Sequence, residues 1–256
     1  MFEARPKAYR GCINLRERNS SWTKIVELVD EGRRVLEVGC AEGHMAEFLS
    51  RYKHCPITGI EMNPEAAEVA SAHCESIVIG DVEQGALERV QGTFDVVIFA
   101  DVLEHLRYPG DVLRATHPLL NEGGYVLISL PNVAHWEVRR SLIRGRFEYT
   151  KAGLLDDSHL RFFTYETALK LIDEAGFYVG TFELVHRCPR FWKYPNFYRR
   201  RDAFVNRLVK KYFRGIFGYQ FVFKILPKGQ AGVRILATKP SQIVSCASRG
   251  ENGRGD

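Results

Sequence analysis

The chain has 256 residues, 45% of them apolar, enough for one large α/β domain with a sizeable core, and no run approaches the roughly 18 consecutive apolar residues of a membrane span. Its net charge of +5 is unevenly placed: ten Lys or Arg and one acid, Asp202, lie between Arg187 and Arg214, a local balance of +9 that leaves −4 for the remainder. The basicity therefore belongs to one segment and is not a property of the whole surface. Six cysteines, at positions 12, 40, 55, 74, 188 and 246, form no CxxC pair and match no zinc spacing, so they are expected to be reduced thiols of a cytoplasmic protein. The N-terminus, MFEARPKAYRG, lacks the apolar centre of a secretory signal.

Taken in order, residues 1–32 read as an arm and a helix: Ser20 is a candidate N-cap, and Trp22, Ile25, Val26, Leu28 and Val29 have helical spacing up to Gly32. A strand at 33–38 runs into the turn Gly39-Cys40-Ala41-Glu42-Gly43 and a helix over about 43–52. Glycines tighten such a turn and let a ligand approach the backbone, where the helix N-terminus offers unpaired N–H groups. Further strands are predicted at 57–60, 76–79, 94–99 and 125–130. Between them come an Ala-rich helix opened by Pro64, a short helix over 84–91 and one helix over 101–120. A helix at 164–175 and a strand at 178–185 follow. After the segment 187–217, either 219–226 or 233–238 supplies the last strand. Strands alternating with helices predict an α/β fold, a doubly wound and mostly parallel sheet with helices on both faces.

Ligands of such sheets bind outside the carboxyl ends of the strands. The polar residues there are Glu37 with its glycine turn, Glu61, Asp81, Asp101 and Pro131-Asn132. Glu61 lies 18 residues after Gly43, where a carboxylate suits a ribose diol, and Asp81 suits an exocyclic amine such as that of adenine. A helix cap or a solvated loop is the plain alternative for each acid. The dinucleotide pattern G-x-G-x-x-G is absent, and Glu42 would place negative charge beside a pyrophosphate. A cofactor carrying a sulfonium and an ammonium tolerates Glu37 and Glu42 better.

The stretches VLEVGCAEGH at 35–44, GIEMN at 59–63, GD at 80–81, FDVVIFADVLEHL at 94–106 and LLNEGGYVLISLPN at 119–132 resemble, in order and interval, the motifs of class I S-adenosylmethionine-dependent methyltransferases. The resemblance covers about 33–186. It implies a Rossmann-like seven-stranded sheet of order 3-2-1-4-5-7-6 and S-adenosyl-L-methionine as cofactor. It places Glu37 and Gly39 at the methionine moiety with Cys40, Ala41 and Gly43 in the same turn. Glu61 falls at the ribose with Met62 beside it, Asp81 and Val82 at adenine, and Ala100 and Asp101 at the end of the fourth strand. Ala41 departs from the glycine common there, and a slightly altered turn is expected. The cofactor-binding core is expected over 33–130.

The (N/D)PP(Y/F) motif of amino-directed nucleic-acid methylases and the cysteine of cytosine-5 enzymes are both absent after the fourth strand. Asp101 has no evident partner for a metal, so none is expected. Residues 131–164 are too long for a simple connection and are rich in His, Arg, Asp and aromatics, as an acceptor lid would be. This region resembles the small-molecule and sugar O-methyltransferase branch, where a histidine soon after the fifth strand is the usual base. That resemblance points to His135 as catalytic base with Asp156, Asp157 or His159 in support, and to His105 as the second candidate; a structural cap is the alternative for His135.

The remainder, 165–240, carries the basic and aromatic insertion 187–217. In it Phe204, Val205, Leu208, Val209, Tyr212, Phe213 and Ile216 form one helical stripe. Such an element suits peripheral contact with the inner face of an anionic membrane, a phosphate-bearing substrate, or packing against its own domain or the mate in a homodimer. The polar, glycine-rich tail 241–256 is expected to be disordered. The expected function is O-methylation of a hydroxyl on a small-molecule acceptor, a glycan or lipid-linked sugar among them. An RNA methyltransferase and a non-catalytic cofactor-binding regulator are the alternatives, with nucleic acid the less favoured partner.

Overall fold

Seven strands form one sheet in this computed structural model, which describes residues 13, 15, 17, 19–187 and 209–229. The strands are β1 (Val35–Val38), β2 (Ile57–Glu61), β3 (Ser76–Ile79), β4 (Phe94–Ala100), β5 (Leu120–Pro131), β6 (Phe177–His186) and β7 (Gly218–Pro227). Their order is β3-β2-β1-β4-β5-β7-β6, as the resemblance implied. The first five pair in parallel, while β7 runs antiparallel between β5 and β6. The last strand is therefore 218–227; residues 233–238 lie outside the described residues.

Alternate residues of each central strand point to opposite faces, and both faces are covered. Leu36, Val38, Val97, Phe99, Val126, Ile128, Phe221 and Phe223 build one core, closed by Val112 and Leu113 of α4 (Pro109–Arg114) and Ala168 and Ile172 of α6 (Tyr165–Glu174). Val35, Ile57, Val96, Ile98, Leu127 and Val222 build the other, under Ile25 and Val26 of α1 (Ser21–Glu27) and Met45, Ala46 and Leu49 of α2 (His44–Lys53). Two further helices are α3 (Pro64–Ala70), whose N-cap Asn63 takes the N–H groups of Glu65 and Ala66, and α5 (Trp136–Ile143) within the expected lid.

Two predicted helices are corrected. The 101–120 stretch breaks into a 3-10 turn, Leu103–His105, then α4, then a second 3-10 turn, His117–Leu119. Asp101 sits at φ 58°, a left-handed backbone no helix continues through, and Pro109 and Pro118 each withhold an N–H. The 84–91 stretch is two 3-10 turns, Val82–Gln84 and Leu87–Arg89, parted by Gly85 at φ +81°.

Much of the basic insertion, the 204–208 part of its stripe, the tail and the residues before 13 lie outside the described residues. The stripe's described end is a π-turn, Val209–Phe213, followed by a short helix, Arg214–Phe217, and not one continuous α-helix. Its cations engage the domain: Lys210 Nζ lies 2.8 Å from Glu183, and the Arg214 guanidinium sits 4.1 Å over the Tyr165 ring. Tyr212, Phe213 and Ile216 face outward.

The sheet's second half depends on β7, and Phe223 is fully buried at its centre opposite Ile128. Phe223→Ala is expected to cost about 3–5 kcal/mol, read as a lower urea midpoint with an unchanged far-ultraviolet spectrum.

Candidate functional site

The turn after β1 is held from β2. The N–H groups of Gly39 and Cys40 donate to the carbonyl of Ile60 at 2.8 and 3.1 Å, and that of Ala41 donates to Glu61 Oε2 at 2.9 Å. Ala41 adopts φ 49°, so the alanine keeps the left-handed geometry a glycine would provide. A Cβ on Gly39 would come within 2.7 Å of a Val102 methyl, and one on Gly43 within 2.8 Å of the Ala70 backbone. Both glycines are thus also required by packing, between the first and fourth turns and between α2 and α3.

Glu37 lies buried beneath this turn, and its Oε2 has no hydrogen-bond partner. Burial raises its carboxyl well above the usual range, helped by the nearby Cys74 and Glu61 and opposed by the Ala46 N–H of α2. An orphaned buried carboxylate oxygen fits a cationic ligand group entering over the turn. Glu61, also buried, accepts from the Ala41 and Asn63 N–H groups, one on each oxygen at 2.9 Å, and each oxygen keeps a second lone pair. Met62 is half exposed beside it. Asp81 caps the next turn by accepting from the Glu83 N–H and the Gln84 side chain, with Val82 packed on the core below. The carboxyl edge of β1, β2 and β3 therefore presents the predicted residues in one row.

The fourth strand ends at Ala100, and Asp101 turns the chain sharply. Its Oδ1 accepts from the Ser129 hydroxyl and, at 2.6 Å, from the Gln220 amide, which ties the ends of β4, β5 and β7 together. Burial raises its carboxyl in spite of these bonds. Val102 then packs on Gly39, and the next 3-10 turn carries Glu104 and His105. The Glu104 carbonyl accepts both the Leu160 and Arg161 N–H groups at 2.9 Å, and the Arg161 guanidinium bonds the Arg107 carbonyl. These bonds draw the 155–163 loop onto the turn and bring His159 against His105, ring centroids 4.9 Å apart and nearly perpendicular.

One ligand-type atom from each of Glu104, His105 and His159 lies within 4.8 Å of the others. Glu104 and His159 are buried, and Glu104 Oε2 and His159 Nδ1 have no hydrogen-bond partner. Burial, with the charges of Asp101 and Asp156, raises the Glu104 carboxyl strongly; burial lowers the His159 imidazole against the pull of Asp156 and the Leu154 carbonyl. Sequence reasoning sought metal ligands around Asp101 and expected none, yet a set capable of ligation stands three and four residues further on and across the loop. Glu104 was missed altogether, although its E-H pair with His105 was visible.

His135 is a correction. Its ring is fully buried, Nε2–H donates to the Arg187 carbonyl at 2.9 Å, and Nδ1 accepts the Glu137 N–H as N-cap of α5. With both nitrogens engaged it has none left to take a proton from an acceptor; the structural alternative holds. Asp157 points away into an ion pair with Lys151 at 2.8 Å, and Asp156, bonded to Ser158, is the acid near His159. An open groove between α5 and residues 146–155 is lined by none of the cofactor-edge residues.

Comparison with known proteins agrees with this geometry. A family model described as a methyltransferase domain matches residues 8–181. The ubiquinone biosynthesis O-methyltransferase of Burkholderia cenocepacia is 31% identical over 160 residues, 57% of this chain and 68% of that protein. Its namesake from Acinetobacter baylyi is 26% identical over 181 residues, 64% and 73% of the two chains. Among solved structures, a SAM-dependent methyltransferase from Archaeoglobus fulgidus matches with a TM-score of 0.60 at 20% identity, over 87% of this chain and 97% of that one. The magnesium protoporphyrin IX methyltransferase of Synechocystis PCC 6803 with bound SAH matches at 0.52 and 14%, over 85% and 90%. At these identities the structural matches speak for the fold.

The buried neutral state of His135 has a measurable consequence. Burial lowers its proton affinity below that of the unfolded chain, whose imidazole titrates near pH ~6.5. Its share of stability is complete above that pH and is lost as pH falls toward the folded value. Urea midpoints followed from pH 8 to pH 5 should fall less steeply in His135→Asn, which keeps a capping side chain without the titration. His135→Ala should lose about 0.5–2 kcal/mol at pH 8.

Proposed function

The chain belongs to the class I S-adenosylmethionine-dependent methyltransferases, and from that premise we propose that it methylates a hydroxyl of a small molecule held between the first and fourth turns of the sheet. The observation that carries this is the contact of Val102 with Gly39, because Val102 opens the turn that carries Glu104 and His105, against which His159 stands. The cofactor supplies a methyl group on a sulfonium, a good leaving group for in-line attack. The orphaned Glu37 Oε2 supports pairing with its ammonium, Glu61 offers lone pairs to the ribose, and Asp81 with Val82 borders the adenine.

The acceptor oxygen must lie in line with the methyl group and lose its proton. Glu104, His105 and His159 receive it; as the oxygen–methyl bond forms and the sulfur–methyl bond breaks, the hydroxyl proton passes to water and the cofactor leaves as the neutral thioether, and the loop fixed to the Glu104 carbonyl covers the site. The relatives' names, O-methyltransferases of ubiquinone biosynthesis, support oxygen as the atom methylated. Sugars and lipid-linked compounds both fall within the proposed acceptor class.

Glu37→Gln keeps the shape and removes the buried charge. It should weaken S-adenosylmethionine binding at least tenfold by calorimetry while leaving the cofactor-free protein no less stable, because an unpaired buried carboxylate is itself costly. Unchanged affinity would remove Glu37 from the site. His159→Ala should cut turnover by roughly 10²–10⁴-fold with cofactor affinity intact.

The outward-facing Tyr212, Phe213 and Ile216 support a further part of the proposal, that segment 187–217 meets the tail of a lipid-linked acceptor or the anionic membrane that carries it. Among the described residues no helix is long and apolar enough to cross a membrane. The protein should co-sediment with anionic vesicles and lose this when all three residues become Ser; equal pelleting of both proteins overturns it.

A further inference from the structure

We propose that Glu104, His105 and His159 bind a divalent first-row transition cation, on which the acceptor oxygen then takes an open position. Each of the three offers an atom suited to this. Glu104 Oε2 and His159 Nδ1 are buried and have no hydrogen-bond partner, an expensive condition for two polar atoms facing one another's neighbourhood. His105 Nδ1 lies 3.2 Å from the Ser158 carbonyl, which makes Nδ1 the protonated nitrogen and Nε2 the one with a lone pair. On His159 the Leu154 carbonyl plays the same part for the other nitrogen, leaving Nδ1 as the lone-pair atom. A backbone carbonyl on the far nitrogen is how metal-bound imidazoles are commonly oriented.

The three atoms lie within 4.8 Å of one another, whereas ligands about 2.1 Å from one ion stand about 3–4 Å apart, so the set needs to tighten by about an ångström on binding. The surroundings favour a cation. Asp101 and Asp156 both act on Glu104 as negative charge. Two imidazoles and one carboxylate suit zinc, manganese, iron or cobalt better than magnesium or calcium, which prefer all-oxygen sets. Three protein ligands leave positions open, and an acceptor hydroxyl in one of them is held beside Val102 and the cofactor turn and made more acidic. This assignment of the open position rests on the acceptor reading above; the binding of the ion does not.

The test is titration of the full-length, untagged, metal-stripped protein with Mn²⁺, followed by the loss of the free-ion electron paramagnetic resonance signal, and with Zn²⁺ as competitor. Wild type should take up one Mn²⁺ per chain and release it to Zn²⁺. Glu104→Gln and His159→Asn, each checked for an intact thermal transition, should bind at least tenfold more weakly, and Asp157→Asn should bind as wild type does. Absence of saturable binding in wild type, or binding unchanged in both ligand variants, overturns the site. S-adenosylmethionine affinity measured on the same samples separates the two readings: cofactor binding without cation binding sinks the metal site alone, and cation binding without cofactor binding sinks the methyltransferase site and leaves the metal site standing.

Discussion

The Asp101 carboxylate accepts from Ser129 on β5 and Gln220 on β7 while its own backbone stands in the left-handed region at φ 58°. A non-glycine residue there costs on the order of 1–2 kcal/mol, and two hydrogen bonds to a buried carboxylate offset it. The turn cannot relax, so the chain leaves β4 in one direction only. That direction lays Val102 on Gly39 and delivers Glu104 to the point where its carbonyl captures the 155–163 loop. The turn after the fourth strand and the 155–163 loop take their positions from this residue, while the turn after the first strand is held from Ile60 and Glu61 and only packed on by Val102.

Charge organises the site as firmly as packing does. Glu37, Asp101 and Glu104 are buried acids whose protonation equilibria are pushed upward by the loss of water. Asp101 is satisfied within the protein. Glu37 and Glu104 each keep an unpartnered oxygen, Glu37 just before Gly39 in the chain and Glu104 just after Val102, the pair that touch. An unpaired buried acid costs stability, and positive charge brought to it relieves that cost.

The sheet was legible because its signals are local and redundant. Each of the first four strands is a short apolar run closed by glycine or an acid, the fifth stops at Pro131, and the series of closing motifs carried the strand order through the family resemblance. The polar residues at the carboxyl edge were placed for the same reason, since they sit where strands end. The acceptor side was not. His135 and His159 look alike in sequence, and only the Arg187 carbonyl and the Glu137 N–H mark His135 as a cap. Asp156 and Asp157 differ by one position, yet one is buried and the other exposed. The single helix expected over 101–120 failed on Asp101, whose conformation is imposed by residues 28 and 119 positions away.

The placement of β7 has a consequence for how this chain reaches its native state. β5 ends at Pro131, but its partner begins only at Gly218, after β6 and the whole basic segment have been made. During synthesis the β5 edge, with Val126, Leu127, Ile128 and Leu130 along it, emerges long before the strand that covers it. Closure of so distant a pair is slow, and an apolar strand edge left open invites pairing with other chains.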